Sequence, residues 1–131
     1  MKGVVGVGFF DGLMGNASEM NLQKVQNEFG RILAREERIE KAYRLIRDLF
    51  IFTNKRLILI DKQGITGKKM AYHSIPYRSI VQFSIETAGH FDLDAELKIW
   101  ISGSELPIQK QFNRSLDIYE LQRVLAEYVL K

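Results

Sequence analysis

Cysteine is absent from this 131-residue chain, proline occurs twice and tryptophan once. The missing cysteines exclude a disulfide framework, a thiolate metal site and a cysteine nucleophile, and their absence fits a reducing compartment. No segment reaches the roughly 18 to 20 apolar residues that a membrane-spanning helix needs. We therefore expect a cytoplasmic protein whose fold depends on its apolar core.

Basic residues only slightly outnumber acidic residues in the sequence. Nineteen Lys and Arg against 16 Asp and Glu give a formal net charge of +3, without the concentrated basic stripe typical of nucleic-acid binding. The apolar share of 46% and the charged share of 27% are those of an ordinary soluble globule. The length fits one domain with one sizeable core. Nucleic acid is therefore not an expected partner.

The N-terminal stretch MKGVVGVGFFDGLM is apolar. A single lysine ahead of apolar residues resembles the start of a secretory signal peptide. However, Asp11 interrupts the apolar run, and no clear small-residue cleavage site follows it. The glycines from Gly3 to Gly8 invite comparison with a phosphate-binding loop, yet the Lys-Ser/Thr ending and the flanking strand are missing. Such a segment carries more apolar surface than a small monomer usually exposes to solvent, and a second copy of the chain can cover it. The candidate oligomer contacts are Val7, Phe9, Phe10, Leu13 and Met14.

Residues 1–33 are predicted to form a helical segment ahead of a domain of residues 34–131, within one structural unit. A helix is predicted from Asn16 to Leu33, because apolar residues recur there at helical spacing. Either Asn16, three residues before Glu19, or Ser18 can cap its first turn. The stretch 37–47 suits both a strand and a helix, and we prefer the strand.

Seven antiparallel strands and one closing helix are predicted after the N-terminal segment. The apolar runs DLFIFT and RLILID, separated by Asn54-Lys55, predict a hairpin that is covered on both faces. A glycine- and lysine-containing loop then leads to a strand that Pro76 ends. Alternating apolar residues mark three more strands. They are Val81, Phe83 and Ile85; Leu97, Ile99 and Ile101; and Leu106, Ile108 and Phe112.

An amphipathic helix is predicted to close the chain. It opens near Ser115 and has Asp117 in its first turn. Its apolar face consists of Ile118, Leu121, Leu125, Tyr128 and Val129. This face must pack on the sheet, so the fold class is mainly β, a bent antiparallel sheet or barrel with a C-terminal capping helix.

Five short segments of the chain are familiar in their order and spacing. They are FTNKRLILID at Phe52–Asp61, the loop glycines Gly64 and Gly67, the turn Ser74–Tyr77, ETAG at Glu86–Gly89, and DAEL at Asp94–Leu97. Together they resemble the bacterial pleckstrin-homology-like family, formerly a domain of unknown function, over about 48–112. The resemblance implies a seven-stranded, strongly bent sheet capped by a C-terminal helix. It also implies an oligomer-forming module, sometimes ring-shaped, with no established catalytic activity.

Two features differ from eukaryotic pleckstrin-homology domains. The first strand pair is joined at Arg47-Asp48 without a long lysine-rich loop, and Trp100 falls on a predicted strand instead of the closing helix. Binding of inositol phosphates, known for eukaryotic pleckstrin-homology domains, is therefore not expected of this chain.

Basic residues near two predicted hairpins form the candidate site for an anion or an acidic partner surface. They are Lys55, Arg56, Lys62, Lys68 and Lys69. The alternative is that these side chains are simply solvated. His73 and His90 lack ligand-type spacing, and the acidic run FDLDAE lacks the pattern of a calcium loop. No metal, cofactor or nucleophile is predicted.

The leading hypothesis is a non-enzymatic module that assembles with copies of itself through sheet edges and its N-terminal segment, and that scaffolds another protein. The alternative is peripheral binding to anionic lipid, with the loop from Lys62 to Lys69 supplying charge and the N-terminus inserting.

Overall fold

Seven β-strands and two α-helices make up the regular structure in the described part of the computed structural model, which comprises residues 21–45, 48–63, 69–87, 94–113 and 117–131. Several predicted features lie outside these residues. They are the contacts Val7, Phe9, Phe10, Leu13 and Met14, the caps Asn16 and Ser18, the loop residue Lys68, and Ser115.

The first described helix, α1, spans Leu22–Phe29 and continues as a 3-10 turn over Gly30–Ile32. Asn21 is its N-cap, because its backbone is extended and its side chain accepts a hydrogen bond from the Lys24 amide at 3.1 Å. The predicted start at Asn16 or Ser18 is therefore too early for this helix. Val25 and Phe29 are its buried residues.

The first sheet has four antiparallel strands in the order β1-β2-β3-β4. They span Ile39–Arg44 (β1), Asp48–Thr53 (β2), Arg56–Gln63 (β3) and Lys69–Pro76 (β4). The strand preferred within residues 37–47, the hairpin at Asn54-Lys55 and the end at Pro76 are confirmed. Every residue of β2 is buried, because α1 packs on one face of this sheet and the main core lies on the other.

The second sheet has three antiparallel strands in the order β5-β6-β7. They span Ile80–Thr87 (β5), Asp94–Ile101 (β6) and Ile108–Asn113 (β7). A short turn that includes Gly103, with φ at 88°, joins β6 to β7. These three strands complete the seven-stranded fold.

Two predicted core positions of the second sheet are wrong. The pairing of β5 with β6 shifts by one residue between Ile80 and Gln82, so Ile80 points inward and Val81 is 62% exposed. Leu106 precedes β7 in the turn and is 81% exposed. Both errors come from irregular backbone at strand starts, which simple alternation does not anticipate.

The closing helix, α2, spans Ile118–Val129. Asp117 lies one position before the helix, not in its first turn, and its side chain accepts hydrogen bonds from the amides of Tyr119 and Glu120. Its buried residues are Leu121, Val124 and Leu125. They pack with residues of both sheets in the main core, which confirms the predicted capping role.

We expect Asp117→Ala to lower the free energy of unfolding by about 1 kcal/mol, since the first turn of α2 loses its side-chain acceptor. Urea unfolding followed by circular dichroism measures the effect. Asp117→Ser keeps an acceptor and is expected to lose only a fraction of that amount. Equal losses in the two variants would contradict the capping role.

Candidate functional site

The basic residues predicted as one patch are divided between two ends of β3. Lys55 is exposed in the turn before β3, and Lys69 begins β4 opposite Gln63 at the far end. Lys62 is one residue before Gln63, so it lies about 23 Å along the strand from Lys55. Arg56, next to Lys55, shares its end of the strand. The structure therefore does not bring the four described basic residues together, and Lys68 lies outside the described residues.

Arg56 is occupied inside the protein. Its Nε donates to Glu37 Oε2 at 2.8 Å, and its Nη2 donates to the Ile32 carbonyl at 2.8 Å. Its Nη1 donates to Ser74 Oγ at 2.7 Å. These bonds tie the segment after α1 to β3 and β4. The guanidinium is thus a structural clamp and leaves the predicted anion site without one of its cations.

The partner of the clamp, Glu37, has a side chain that is only 1% exposed. Burial alone would raise its pKa, but the hydrogen bonds from Arg56, the Ala34 amide and Thr53, together with the Arg56 charge, lower it to about 2. The Ala34 amide donates at 2.8 Å and the Thr53 hydroxyl at 2.6 Å. Glu37 is therefore a fully ionised and well-paired buried carboxylate at neutral pH.

An aromatic group connects α2 to the first sheet. Phe52 lies 5.9 Å from Tyr43 and 5.3 Å from Tyr128, and Tyr77 lies 5.0 Å from Tyr128, measured between ring centroids. The Tyr43 hydroxyl on β1 donates to Glu120 on α2. In the opposite sense, the Tyr128 hydroxyl on α2 donates to Glu40 on β1.

The three tyrosine hydroxyls of this aromatic group are all engaged, since that of Tyr77 donates to the Thr53 carbonyl at 2.6 Å. Burial raises the pKa of each of them, and nearby Glu120 and Glu40 add to the effect at Tyr43 and Tyr128. They therefore remain protonated donors at physiological pH. The group fixes the closing helix in place.

A third polar cluster lies where the two sheets meet. Asp48 on β2 and Asp61 on β3 are directly opposite one another in the ladder. Lys110 on β7 points inward between Ile108 and Phe112, and its Nζ lies 3.5 Å from Asp48 Oδ2 and 3.6 Å from Asp61 Oδ2. The Asp48 side chain is 8% exposed, and its Oδ1 is buried without a hydrogen-bond partner.

The electrostatics of this cluster are unbalanced, since two carboxylates face one ammonium. Burial raises the pKa of Asp48, the Lys110 charge lowers it, and Asp61 raises it again, to a value of about 6. These three residues are not among the site residues predicted from the sequence. A signal was present, because Asp48 and Asp61 are equally distant from the two-residue turn Asn54-Lys55 and must therefore pair in its hairpin.

The central part of one edge strand, β4, lacks the usual protection against strand addition. Within the described residues no strand pairs with the outer side of β4, which runs in unbroken register with β3 and has no Asp, Glu, Lys or Arg between Lys69 and Pro76. By contrast, β1 contains Glu40, Lys41 and Arg44 together with a register shift. Charges, bulges and prolines are what normally blunt such edges.

Two antiparallel sheets of four and three strands, closed by a C-terminal helix, define a pleckstrin-homology-like fold. The chain belongs to the bacterial PH domain family, whose model matches residues 8–129. This confirms the resemblance found in the sequence. Trp100 lies on β6, as predicted. The match spans the predicted boundary between residues 33 and 34, so the division into two segments stays a prediction.

Relatives of the chain include proteins without an assigned role. The uncharacterized protein YjqA of Bacillus subtilis is 60% identical over 121 residues, which is 92% of this chain and 97% of YjqA. The uncharacterized protein YozO of the same organism is 35% identical over 98 residues, covering 75% of this chain and 83% of YozO.

Solved structures agree with the fold. A pleckstrin homology domain from Shewanella amazonensis is 56% identical, has a TM-score of 0.80, and covers 94% of this chain and 99% of its own. A DUF1696 family protein with a pleckstrin-homology domain, from Shewanella loihica, is 53% identical with a TM-score of 0.74, covering 88% and 98%. Among the described helices of this chain, none is long and apolar enough to cross a bilayer.

Proposed function

We propose that this domain is a non-enzymatic cytoplasmic module that assembles with copies of itself by strand addition at β4, and so presents a scaffold to other proteins. The observation that carries the proposal is the unprotected edge of β4. Between Lys69 and Pro76, alternate residues present backbone donors and acceptors that a second strand can satisfy.

The side chains along β4 suit such a contact. Tyr72 is 50% exposed, and His73 and Ser74 are exposed beside it. Antiparallel pairing of β4 with its own copy places the same surface on both subunits, as a twofold interface requires. The apolar residues predicted as contacts at the N-terminus, Phe9 and Phe10 among them, supply further surface for burial in the assembly.

The proposal includes no catalytic step because the buried, hydrogen-bonded polar side chains among the described residues hold parts of the fold together. Arg56 and Glu37 hold each other, and Tyr43 and Tyr128 anchor α2 through their hydroxyls. The fold therefore supports a surface function, carried by its edges and faces, better than chemistry inside a pocket.

Self-assembly predicts a defined multimer when the molar mass is measured by light scattering on a sizing column over a range of concentrations. The double variant Tyr72→Lys/His73→Lys should lower that mass, because lysines on an edge strand oppose strand addition. Leu106→Lys is the matched control, since Leu106 is exposed in a turn away from β4. We expect Phe9→Asp/Phe10→Asp to weaken the multimer as well. Circular dichroism confirms that each variant is folded.

A multimer that keeps its mass in the β4 variant would contradict the edge contact. A wild-type protein that is monomeric at all concentrations would contradict self-assembly itself. Peripheral lipid binding would then be the better proposal if the monomer sediments with phosphatidylglycerol vesicles but not with phosphatidylcholine vesicles. In that case Lys68→Glu/Lys69→Glu should abolish sedimentation.

A further inference from the structure

The cluster of Asp48, Asp61 and Lys110 connects the two sheets, because the carboxylates lie on β2 and β3 and the ammonium lies on β7. Its formal charge with all groups ionised is −1, in a place where Asp48 is 6% exposed. The Asp61 side chain is 34% exposed, so the cost falls mainly on Asp48, whose buried charge is unfavourable unless it is neutralised. The unpartnered Oδ1 of Asp48 is a second, independent sign that one positive or hydrogen-donating group is missing from the ionised cluster.

We propose that Asp48 and Asp61 share one proton and, with Lys110, form a pH-sensitive lock between the two sheets. A proton converts one carboxylate into a donor, so that the two carboxyls hydrogen-bond instead of repelling each other. It also reduces the charge of the pair to −1, which Lys110 balances. Two carboxyls that share a site in this way release their protons in separate steps.

A proton fits this place better than a metal ion. The cationic position near both carboxylates is already taken by Lys110 Nζ, at 3.5 and 3.6 Å. In addition, no group of three or more His, Cys, Asp or Glu within the described part of the chain is arranged to hold a metal. A shared proton requires no further ligand and no cavity.

The groups facing Asp48 come from several strands. Among the residues that the structure describes, Asp61 and Lys110 are the charged groups that act on it. Uncharged neighbours on the adjoining backbone are Leu45 after β1, Ala71 opposite Asp61 on β4, and Leu97 opposite Lys110 on β6. Arg44 pairs with Leu49, which places it on the other face of the sheet. His73, two residues beyond Ala71 on β4, shares the face with Asp61 and is exposed.

The sign of the pH effect follows from these contacts. Burial, followed by the opposing effects of Lys110 and Asp61, raises the pKa of Asp48 from its ordinary 3.8 to about 6. A raised pKa in the folded state means that the stabilising contribution is complete below about 4. That contribution is lost as the pH rises through 6, when the second proton leaves and the pair carries two charges against one lysine.

The direct test is a carbon-13 NMR titration of the aspartate carboxyl groups in the folded wild-type chain. We expect a midpoint near 6 for Asp48. Asp61→Asn should lower the midpoint of Asp48, because the like charge is removed, and Lys110→Met should raise it. An ordinary midpoint near 4 for Asp48 in the wild type would overturn the proposal.

A second measurement tests whether the protonated cluster stabilises the contact between the two sheets. Between pH 5 and 8 the unfolding equilibrium constant of the wild type should rise about tenfold relative to that of Asp48→Asn, which has no proton to lose there. Amide exchange in β7, corrected for its intrinsic pH dependence, should accelerate over the same range in the wild type but not in Asp48→Asn. Parallel stability curves for the two proteins, or pH-independent protection of β7, would contradict the lock. The control Glu105→Gln should follow the wild type.

Discussion

Replacing Arg56 with methionine is expected to lower the free energy of unfolding by about 3–5 kcal/mol, which is the typical cost of removing one partner from a buried ion pair. The methionine fills similar space but leaves the Glu37 carboxylate without its main donors, at a side-chain exposure of 1%. The bonds to the Ile32 carbonyl and to Ser74 are lost at the same time. Urea unfolding at pH 7 measures the effect.

The control for this substitution is a double-mutant cycle. Glu37→Gln/Arg56→Met removes the buried charge as well as its partner, so we expect it to be more stable than Arg56→Met alone. Lys55→Met removes an exposed lysine one residue away and should change stability by less than about 0.5 kcal/mol. A loss below about 1 kcal/mol in Arg56→Met would indicate a solvated surface pair instead of a buried clamp.

The free energy of unfolding at acidic pH is a second measurement of the same Arg56–Glu37 clamp. The pKa of Glu37 is lowered from 4.5 to about 2, so its contribution is present above about 4.5 and is lost as the pH falls toward 2. At about 1.4 kcal/mol per pKa unit, the contribution is about 3 kcal/mol. In Arg56→Met this dependence should disappear, because burial then favours the neutral acid. The effect has the opposite sign to that of Asp48, which loses its contribution as the pH rises.

Much of the fold is encoded in local patterns that single-sequence reasoning can use. The hairpin around Asn54-Lys55 and the strand end at Pro76 were predictable because turn residues and proline act locally. The inward position of Ile80 was not, since a one-residue shift in pairing reverses which side chains face the core. The exposure of Leu106 depends on where β7 begins, and strand boundaries are weakly marked in sequence.

The candidate sites were harder to predict because their members are distant in sequence. Arg56 looked like one of several surface cations, and only the tertiary structure brings it to Glu37, 19 residues earlier. The pairing of Asp48 with Asp61 follows from hairpin symmetry, and the alternation of Ile108 and Phe112 places Lys110 on the inward face of β7. That Lys110 meets both carboxylates depends on how the two sheets pack.

Phe52→Ala is expected to be as destabilising as Arg56→Met, with a loss of about 3–5 kcal/mol in the free energy of unfolding. Phe52 is fully buried and lies against both Tyr43 and Tyr128. Its removal therefore leaves a cavity and also frees two tyrosines that connect α2 to β1. Urea unfolding gives the energetic loss, and near-ultraviolet circular dichroism should show a weaker tyrosine signal in the folded variant.

The comparison with Tyr119→Ala separates this packing role from the general effect of deleting an aromatic ring. Tyr119 lies on α2 but is 74% exposed, so its loss should change stability by less than about 0.5 kcal/mol. Phe52→Leu refills most of the space without restoring the aromatic contacts and should lie between the two. If Phe52→Ala lost less than 2 kcal/mol, or kept the full tyrosine signal, the aromatic group would not be what holds the closing helix. Attachment of α2 would then rest on its aliphatic residues Leu121, Val124 and Leu125, which pack in the same core.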